Sequence, residues 1–275
     1  MPLTLMDWLL QRYPTAKRQT LRRMVCGGRV GINEKLAKSI KQLIEPGDRI
    51  IVRAAEAKLT VRANLKPLQL VYEDEDLLVV DKPAGLLTST VAREKRPTAL
   101  AIVRAYVRDH SPKVRVGLIH RLDRDASGLL VFSKSTQAYE SLKSQFYHRT
   151  AGRVYLAITA IRPEPMCGTI ESSLVEWADG TVHSTRQAGK GEPAITHYEL
   201  IEDRQERHLL RITLQTGRKH QIRAHLKERG WPIVGDKQYG GTPADRLMLA
   251  AVELSFDPIR GGKRMVFQVP SQLPF

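Results

Sequence analysis

From Leu68 onward, strand signals outnumber helical ones, and segments built with period-two alternation bury one face only when they lie side by side in a sheet. Leu77 to Val80 is a short apolar strand closing on Asp81-Lys82-Pro83-Ala84-Gly85, a turn in which proline and glycine fix the backbone. Val154 to Ala160, His197 to Ile201 and His208 to Gln215 alternate at period two and are expected as strands of an antiparallel or mixed sheet. Thr98 caps a helix whose Leu100, Ile102, Val103 and Val107 face inward, and Ser135 caps another that carries Tyr139, Leu142 and Phe146. Helices inserted this unevenly among strands argue for an α+β domain and against regular βαβ winding.

The first 62 residues read as a small α/β unit of their own. Thr4 and Asp7 form a capping pattern before Leu5, Leu9 and Leu10, and Tyr13-Pro14 stops that helix. A second helix over Lys17 to Cys26 ends at Gly27-Gly28, and short strands follow at Arg29 to Ile32 and Arg49 to Val52. Residues 1–62 hold 13 Lys or Arg against 5 Asp or Glu, a net of +8 in a chain whose total is +15. Gly28-Arg29-Val30 and Gly47-Asp48-Arg49-Ile50, behind two helices, resemble the S4 RNA-binding domain. Arg18, Arg22, Arg23 and Arg29 are its candidate RNA face, because helical spacing sets Arg18 and Arg22 one turn apart beside Arg23. The rival interpretation is a solvated basic helix. A connector over Ala54 to Lys66, without a Gly or Ser run, leads to the larger domain, 67–275.

A chain with 44 Lys plus Arg against 29 Asp plus Glu is expected to meet a polyanion, and charge alone does not separate RNA, DNA and anionic lipid. No apolar run reaches the length of a membrane span, and the opening MPLTLMDWLLQRYP reads as a capped helix and not as a leader, so cytoplasmic residence is expected. Cys26 and Cys167 are too few for a disulfide framework or a zinc cluster and are expected as buried or half-buried thiols. Without an evident coiled-coil heptad, a monomer is expected.

The densest chemistry lies at Gly117-Leu118-Ile119-His120-Arg121-Leu122-Asp123-Arg124-Asp125-Ala126-Ser127-Gly128-Leu129-Leu130-Val131-Phe132, where charged residues sit between two apolar strands. Such a loop presents side chains from a rigid scaffold, and Arg121 and Arg124 flank the Asp123 carboxylate. By its residue types alone it could equally be a surface ion-pair cluster in a hairpin turn.

HRLDRDASGLLVFSKS resembles the central signature of the RluA-type pseudouridine synthases, and Asp123 falls on that family's catalytic residue. Asp81-Lys82-Pro83-Ala84-Gly85 is similar to its first motif, Arg153-Val154-Tyr155 to its basic-x-Tyr strand, and Gly217-Arg218-Lys219-His220-Gln221-Ile222-Arg223 to its Gly-Arg-x-His-Gln-Ile-Arg motif. Pro232-Ile233-Val234-Gly235-Asp236 and Tyr239-Gly240 follow in the same order. Leu249-Ala250-Ala251 and Leu87-Thr88-Ser89 depart from the pattern, which puts the subgroup and substrate in doubt more than the reaction.

The resemblance implies isomerisation of chosen uridines in structured RNA, ribosomal RNA before transfer RNA. Asp123 would assist departure of the base by covalent attack or proton abstraction. Arg223 would stand beside it, clamping the carboxylate through two parallel hydrogen bonds from a helix that begins near Lys219. Tyr155 would stack on the uracil while its hydroxyl helps the C5 proton leave. Arg121 would hold the everted nucleotide unless it merely pairs with Asp125, and His120 and Arg218 complete the substrate-binding set. No atom is gained or lost in the reaction. The chain shows no dinucleotide fingerprint, phosphate-binding Gly-Lys loop or metal-spaced ligands, so no cofactor is expected. A metal site at His120, His220 and His225 is disfavoured, since His220 to His225 is i, i+5. Two alternatives stay open: a non-catalytic RNA-binding or ribosome-assembly factor on the same two domains, and a basic nuclease or other hydrolase using His and Asp.

Overall fold

The computed structural model describes the chain apart from residues 1–2, 15, 17, 27–29, 34, 38, 46, 53–64, 91–95, 186, 188, 271–272 and 274–275, and apart from the side chains of Arg23, Cys26 and His110. It divides into two compact units, Met1–Lys58 and Leu59–Phe275. The expected boundary after Arg62 and most of the connector fall within 53–64, outside the described residues.

The first unit runs β1 (Leu3–Thr4), α1 (Leu5–Arg12), α2 (Arg18–Cys26), β2 (Val30–Ile32), β3 (Lys35–Leu36), β4 (Leu43–Ile44) and β5 (Ile50–Val52). Thr4 caps α1 as expected: its hydroxyl accepts the Asp7 N–H at 3.2 Å, and the Asp7 carboxylate accepts the Thr4 N–H at 3.3 Å. Leu5, Leu9, Leu21 and Val25 pack on Val30 and Ile32 of the small sheet ordered β3-β2-β5.

The second unit continues with β6 (Gln69–Glu73), β7 (Leu77–Lys82), α3 (Ala99–His110), β8 (Gly117–Leu118), β9 (Ser127–Ser133), α4 (Thr136–Tyr147), β10 (Gly152–Thr159), β11 (Cys167–Glu176), β12 (Val182–Thr185), β13 (Glu192–Arg204), β14 (Arg207–Leu214), α5 (Gln221–Glu228), β15 (Leu249–Phe256) and β16 (Met265–Gln268). One mixed sheet joins these strands in the order β12-β11-β13-β14-β10-β15-β9-β7-β6, with β8 on β9 and β16 on β15. The α+β expectation holds.

At the centre of that sheet both faces are covered. Leu78 and Val80 of β7, with Leu130 and Phe132 of β9, enter the core beneath α3, while Leu77, Val79, Leu129 and Val131 enter the core beneath α4. This is why β7 reads in sequence as an unbroken apolar run. β14, by contrast, alternates buried and open positions, as its period-two pattern required.

The β9–β15 pairing is parallel, Ala250 against Ser127 and Ala251 against Gly128, and it binds the exit of the charged loop to the sheet. Only glycine serves at 128: φ is 116°, and a Cβ there would stand 2.2 Å from the Ala251 carbonyl oxygen. Cys167 corrects its expectation, since at the first position of β11 its side chain is exposed. Among the described residues no helix is long and apolar enough to cross a membrane.

Candidate active site

Residues 119–126, between β8 and β9, carry Asp123, and the loop is held from below by a lysine. Lys82 is fully buried at the end of β7 and its Nζ donates to the carbonyls of Pro83 (2.9 Å), Leu86 (2.8 Å), Arg124 (3.0 Å) and Ala126 (2.6 Å). Burial pulls its pKa down to about 8, opposed by the charges of Asp123 and Asp125. Buried Thr88 adds a second tie, its hydroxyl donating to the Leu122 carbonyl at 2.7 Å and accepting the Leu122 N–H at 3.1 Å. Thr88 lies in the segment that departs from the family pattern, and its small hydroxyl is what fits between two backbone groups.

α5 supplies the second half of the site. His220 stands at its N-terminus with φ 50°. Gln221 fastens this end to the sheet: its amide nitrogen donates to Ile195 O and Thr196 Oγ1, both at 2.9 Å, and its oxygen accepts from Thr216 Oγ1 at 2.7 Å. One turn on from His220, Arg223 is 6% exposed and places Nη1 3.6 Å from Asp123 Oδ2.

The expected two-bond clamp on Asp123 is corrected. Arg223 makes that clamp with Asp236, Nε to Oδ2 at 2.7 Å and Nη2 to Oδ1 at 2.8 Å, leaving only Nη1 toward Asp123. Asp236 was recognisable as part of a motif, but nothing in its position gave it this partner. Tyr239 completes the mounting: its ring centre lies 4.8 Å from the Arg223 guanidinium carbon, and its hydroxyl is 3.0 Å from His220 Nδ1. Burial pushes the Tyr239 hydroxyl up to about 12 and lowers His220.

Asp123 and Tyr155 open into one cavity of about 800 Å³, with His120, Arg121, Arg153 and Arg218 also on its wall. Tyr155 is 7% exposed on β10; burial raises its pKa first, Arg153 opposes, and Asp123 raises it further. The sequence-derived trio of Asp123, Tyr155 and Arg223 is thus brought together.

The other expected residues divide. Arg121 is exposed and, among the described residues, without an ion pair; the Asp125 carboxylate pairs with Arg124 at 3.0 Å, so the rival Arg121–Asp125 pair is absent. Neither sequence neighbour of Asp123 serves as its partner. His120 accepts the Val131 N–H at 3.3 Å and stacks on Phe146 at 4.7 Å, and burial, with Arg153 and Lys143 nearby, pushes its pKa down to about 3. Arg218 bonds Glu192 at 2.8 Å on the rim. His225 lies between Thr196 (2.9 Å) and Ser172 (3.0 Å), apart from His120. In the first unit Arg18 and Arg22 are exposed on α2, whereas the Arg23 side chain and Arg29 lie outside the described residues.

Residues 76–228 match the family model described as RNA pseudouridylate synthase. An uncharacterised RNA pseudouridine synthase of Bacillus subtilis is 33% identical over 264 residues, which is 92% of this chain and 85% of that protein. Ribosomal large subunit pseudouridine synthase D of Salmonella typhimurium is 32% identical over 236 residues, 86% of this chain and 72% of that protein. The fold is shared with the solved human RNA pseudouridylate synthase domain containing 4, at TM-score 0.63 and 21% identity, covering 75% of this chain and 88% of that one. A match of this extent, running through the loop of Asp123 and the helix of Arg223, shows that the chain belongs to the RNA pseudouridylate synthase family and is an isomerase.

Proposed function

We propose that this isomerase converts uridine to pseudouridine in ribosomal RNA, with Asp123 as the catalytic carboxylate. The observation that carries the reading is the convergence of Asp123 and Tyr155 on one cavity with the Arg223 guanidinium 3.6 Å behind the carboxylate. The named Salmonella relative supports ribosomal RNA as the substrate.

A uracil reaches such a cavity only after leaving the RNA stack. Asp123 then faces the ribose and assists cleavage of the N1 to C1′ bond, either by attack on C1′ or by removing a proton from C2′. Held by Asp236, Arg223 keeps a fixed positive charge against Asp123 without gripping both its oxygens, so the carboxylate can turn toward the sugar. The freed base turns over and C5 joins C1′. Tyr155 stacks on it and its hydroxyl assists departure of the C5 proton. Arg121, exposed and without an ion pair, holds the everted state, with His120 and Arg218 on the same wall.

The first unit acts as an S4-like RNA-binding domain through Arg18, Arg22, Arg23 and Arg29, and the enzyme works without a cofactor, as a monomer in the cytoplasm. Chemical mapping of pseudouridine in rRNA and tRNA from cells lacking the gene tests the reading. Specific rRNA positions are expected to lose pseudouridine and to regain it with the wild-type gene but not with Asp123→Asn. Full rescue by Asp123→Asn sinks the assignment.

A further inference from the structure

Among the residues that line the main cavity, Asp123 is the one acid, against Arg121, Lys143, Arg149, Arg153, Arg218 and Lys219. Arg218 is taken by Glu192 and Lys219 by Glu176, and Lys143 donates to the Ile119 carbonyl at 3.0 Å. Arg153 is unlike the rest. It is 9% exposed, its Nε is buried with no hydrogen-bond partner, and among the described residues no carboxylate pairs with it.

The side chain is nonetheless fixed. Its guanidinium carbon lies 5.5 Å from the centre of the Phe146 ring on α4, and a Cβ on Gly217 would stand 2.3 Å from its Nη1. Glycine at 217 therefore leaves the room in which the guanidinium lies. Among the described residues, the groups shown to interact with it are uncharged: Tyr155, His120 and Phe146. A charge taken out of water without a counter-ion is a cost that folding does not recover by itself. The planar fork of an arginine matches the oxygens of a phosphate, and an anion arriving with the substrate supplies the missing partner.

We propose that Arg153 is the anchor of a phosphate subsite, binding the phosphodiester attached to the everted nucleotide while Tyr155, two residues along the same strand face, takes its base. Period two along β10 sets both side chains on one side of the sheet, and both line the same cavity. The inference rests on the reading of that cavity as the nucleotide pocket. It assigns the cavity wall two tasks: the aromatic ring receives the base, and the buried guanidinium fixes the backbone from which it swings.

The test uses the full chain with four probes: uridine, uridine 5′-monophosphate, uridine 3′-monophosphate and inorganic phosphate. Calorimetric titration of wild type is expected to give one of the monophosphates about tenfold or more tighter binding than uridine, the advantage of a charge-assisted contact. Arg153→Met removes that advantage, and Arg153→Lys, which keeps the charge but not the fork, retains part of it. Without probe, Arg153→Met melts at the wild-type temperature or above it, because an unpaired buried charge has gone; a purely structural arginine would give a lower melting temperature. No phosphate preference in wild type, or an undiminished one in Arg153→Met, overturns the proposal. Assay of pseudouridine formation in rRNA by the same proteins separates the two ideas. An Arg153-dependent phosphate preference in a chain that forms no pseudouridine keeps the subsite and rejects the reaction, whereas normal formation by wild type with an undiminished preference in Arg153→Met rejects the subsite alone.

Discussion

Arg223 stands between two carboxylates and divides its guanidinium unequally, with two hydrogen bonds to Asp236 at 2.7 and 2.8 Å and a single 3.6 Å approach to Asp123. Asp236 is fully buried, whereas Asp123 is 19% exposed and opens into the cavity. Asp236→Ala leaves a buried guanidinium without its counter-ion and is expected to lower stability by about 3–5 kcal/mol. Asp123→Asn, which breaks only the longer contact, is expected to cost less than about 1 kcal/mol. Urea unfolding of both variants measures the difference; equal losses would mean that Arg223 is not anchored by Asp236.

Tyr155 carries two separable contributions, a ring and a hydroxyl. Tyr155→Phe keeps the ring, so KM should stay within about twofold while kcat falls by roughly 10²-fold or more, the range of a general acid or base. Tyr155→Ala should weaken binding as well. Steady-state kinetics on an rRNA fragment discriminates, and an unchanged kcat in Tyr155→Phe removes the hydroxyl from the mechanism.

Arg121 is exposed and has no ion pair among the described residues, so the fold does not lean on it. Its replacement by Ala should leave stability within about 0.5 kcal/mol while lowering kcat/KM for folded RNA. A thermal melt beside the kinetic assay is sufficient. A variant that turns over folded RNA at the wild-type rate contradicts a part in holding the everted nucleotide.

Two desolvated histidines, His225 completely buried and His120 half-buried on the cavity wall, contribute to the response to acid. Burial lowers His120 to about 3 and His225 to about 4, against 6.5 for the free side chain. As pH falls below 6.5 the unfolded chain takes up protons at these positions and the folded chain does not, so stability declines with falling pH; the His225 contribution levels off below about 4 and that of His120 below about 3. His225, completely buried, should account for on the order of 1–2 kcal/mol of that loss at pH 5. His225→Gln is expected to flatten the profile between pH 6.5 and 5; an equally steep decline in that variant excludes His225 as a cause.

How much of this was legible beforehand depended on the range of the interaction. Thr4 with Asp7, Thr98 with Ala101 and Ser135 with Ala138 are contacts within one helical turn, and the caps stand where the sequence puts them. β7, β10, β13 and β14 follow from apolar runs and alternation, which are likewise local signals. Asp123, Tyr155 and Arg223 were marked by motif wording; the cavity collects Asp123 and Tyr155, and Arg223 stands 3.6 Å from the Asp123 carboxylate. The connector near Arg62 and the strand start at Arg29 fall outside the described residues.

Sequence by itself determined the capped helices, the strongly patterned strands, the order of the motifs and the cationic balance, because period, capping and net charge are properties of neighbouring residues and of simple sums. Tertiary structure alone decided the partners of side chains that pair across the fold. Asp236 and not Asp123 receives the Arg223 fork, Lys82 gathers carbonyls from residues more than forty positions away, and among the described residues no carboxylate pairs with the buried Arg153. A side chain reaches only a few ångströms, so its partner is whichever group the sheet brings within that distance, and such proximity is fixed by the folding of the whole chain, not by spacing along it.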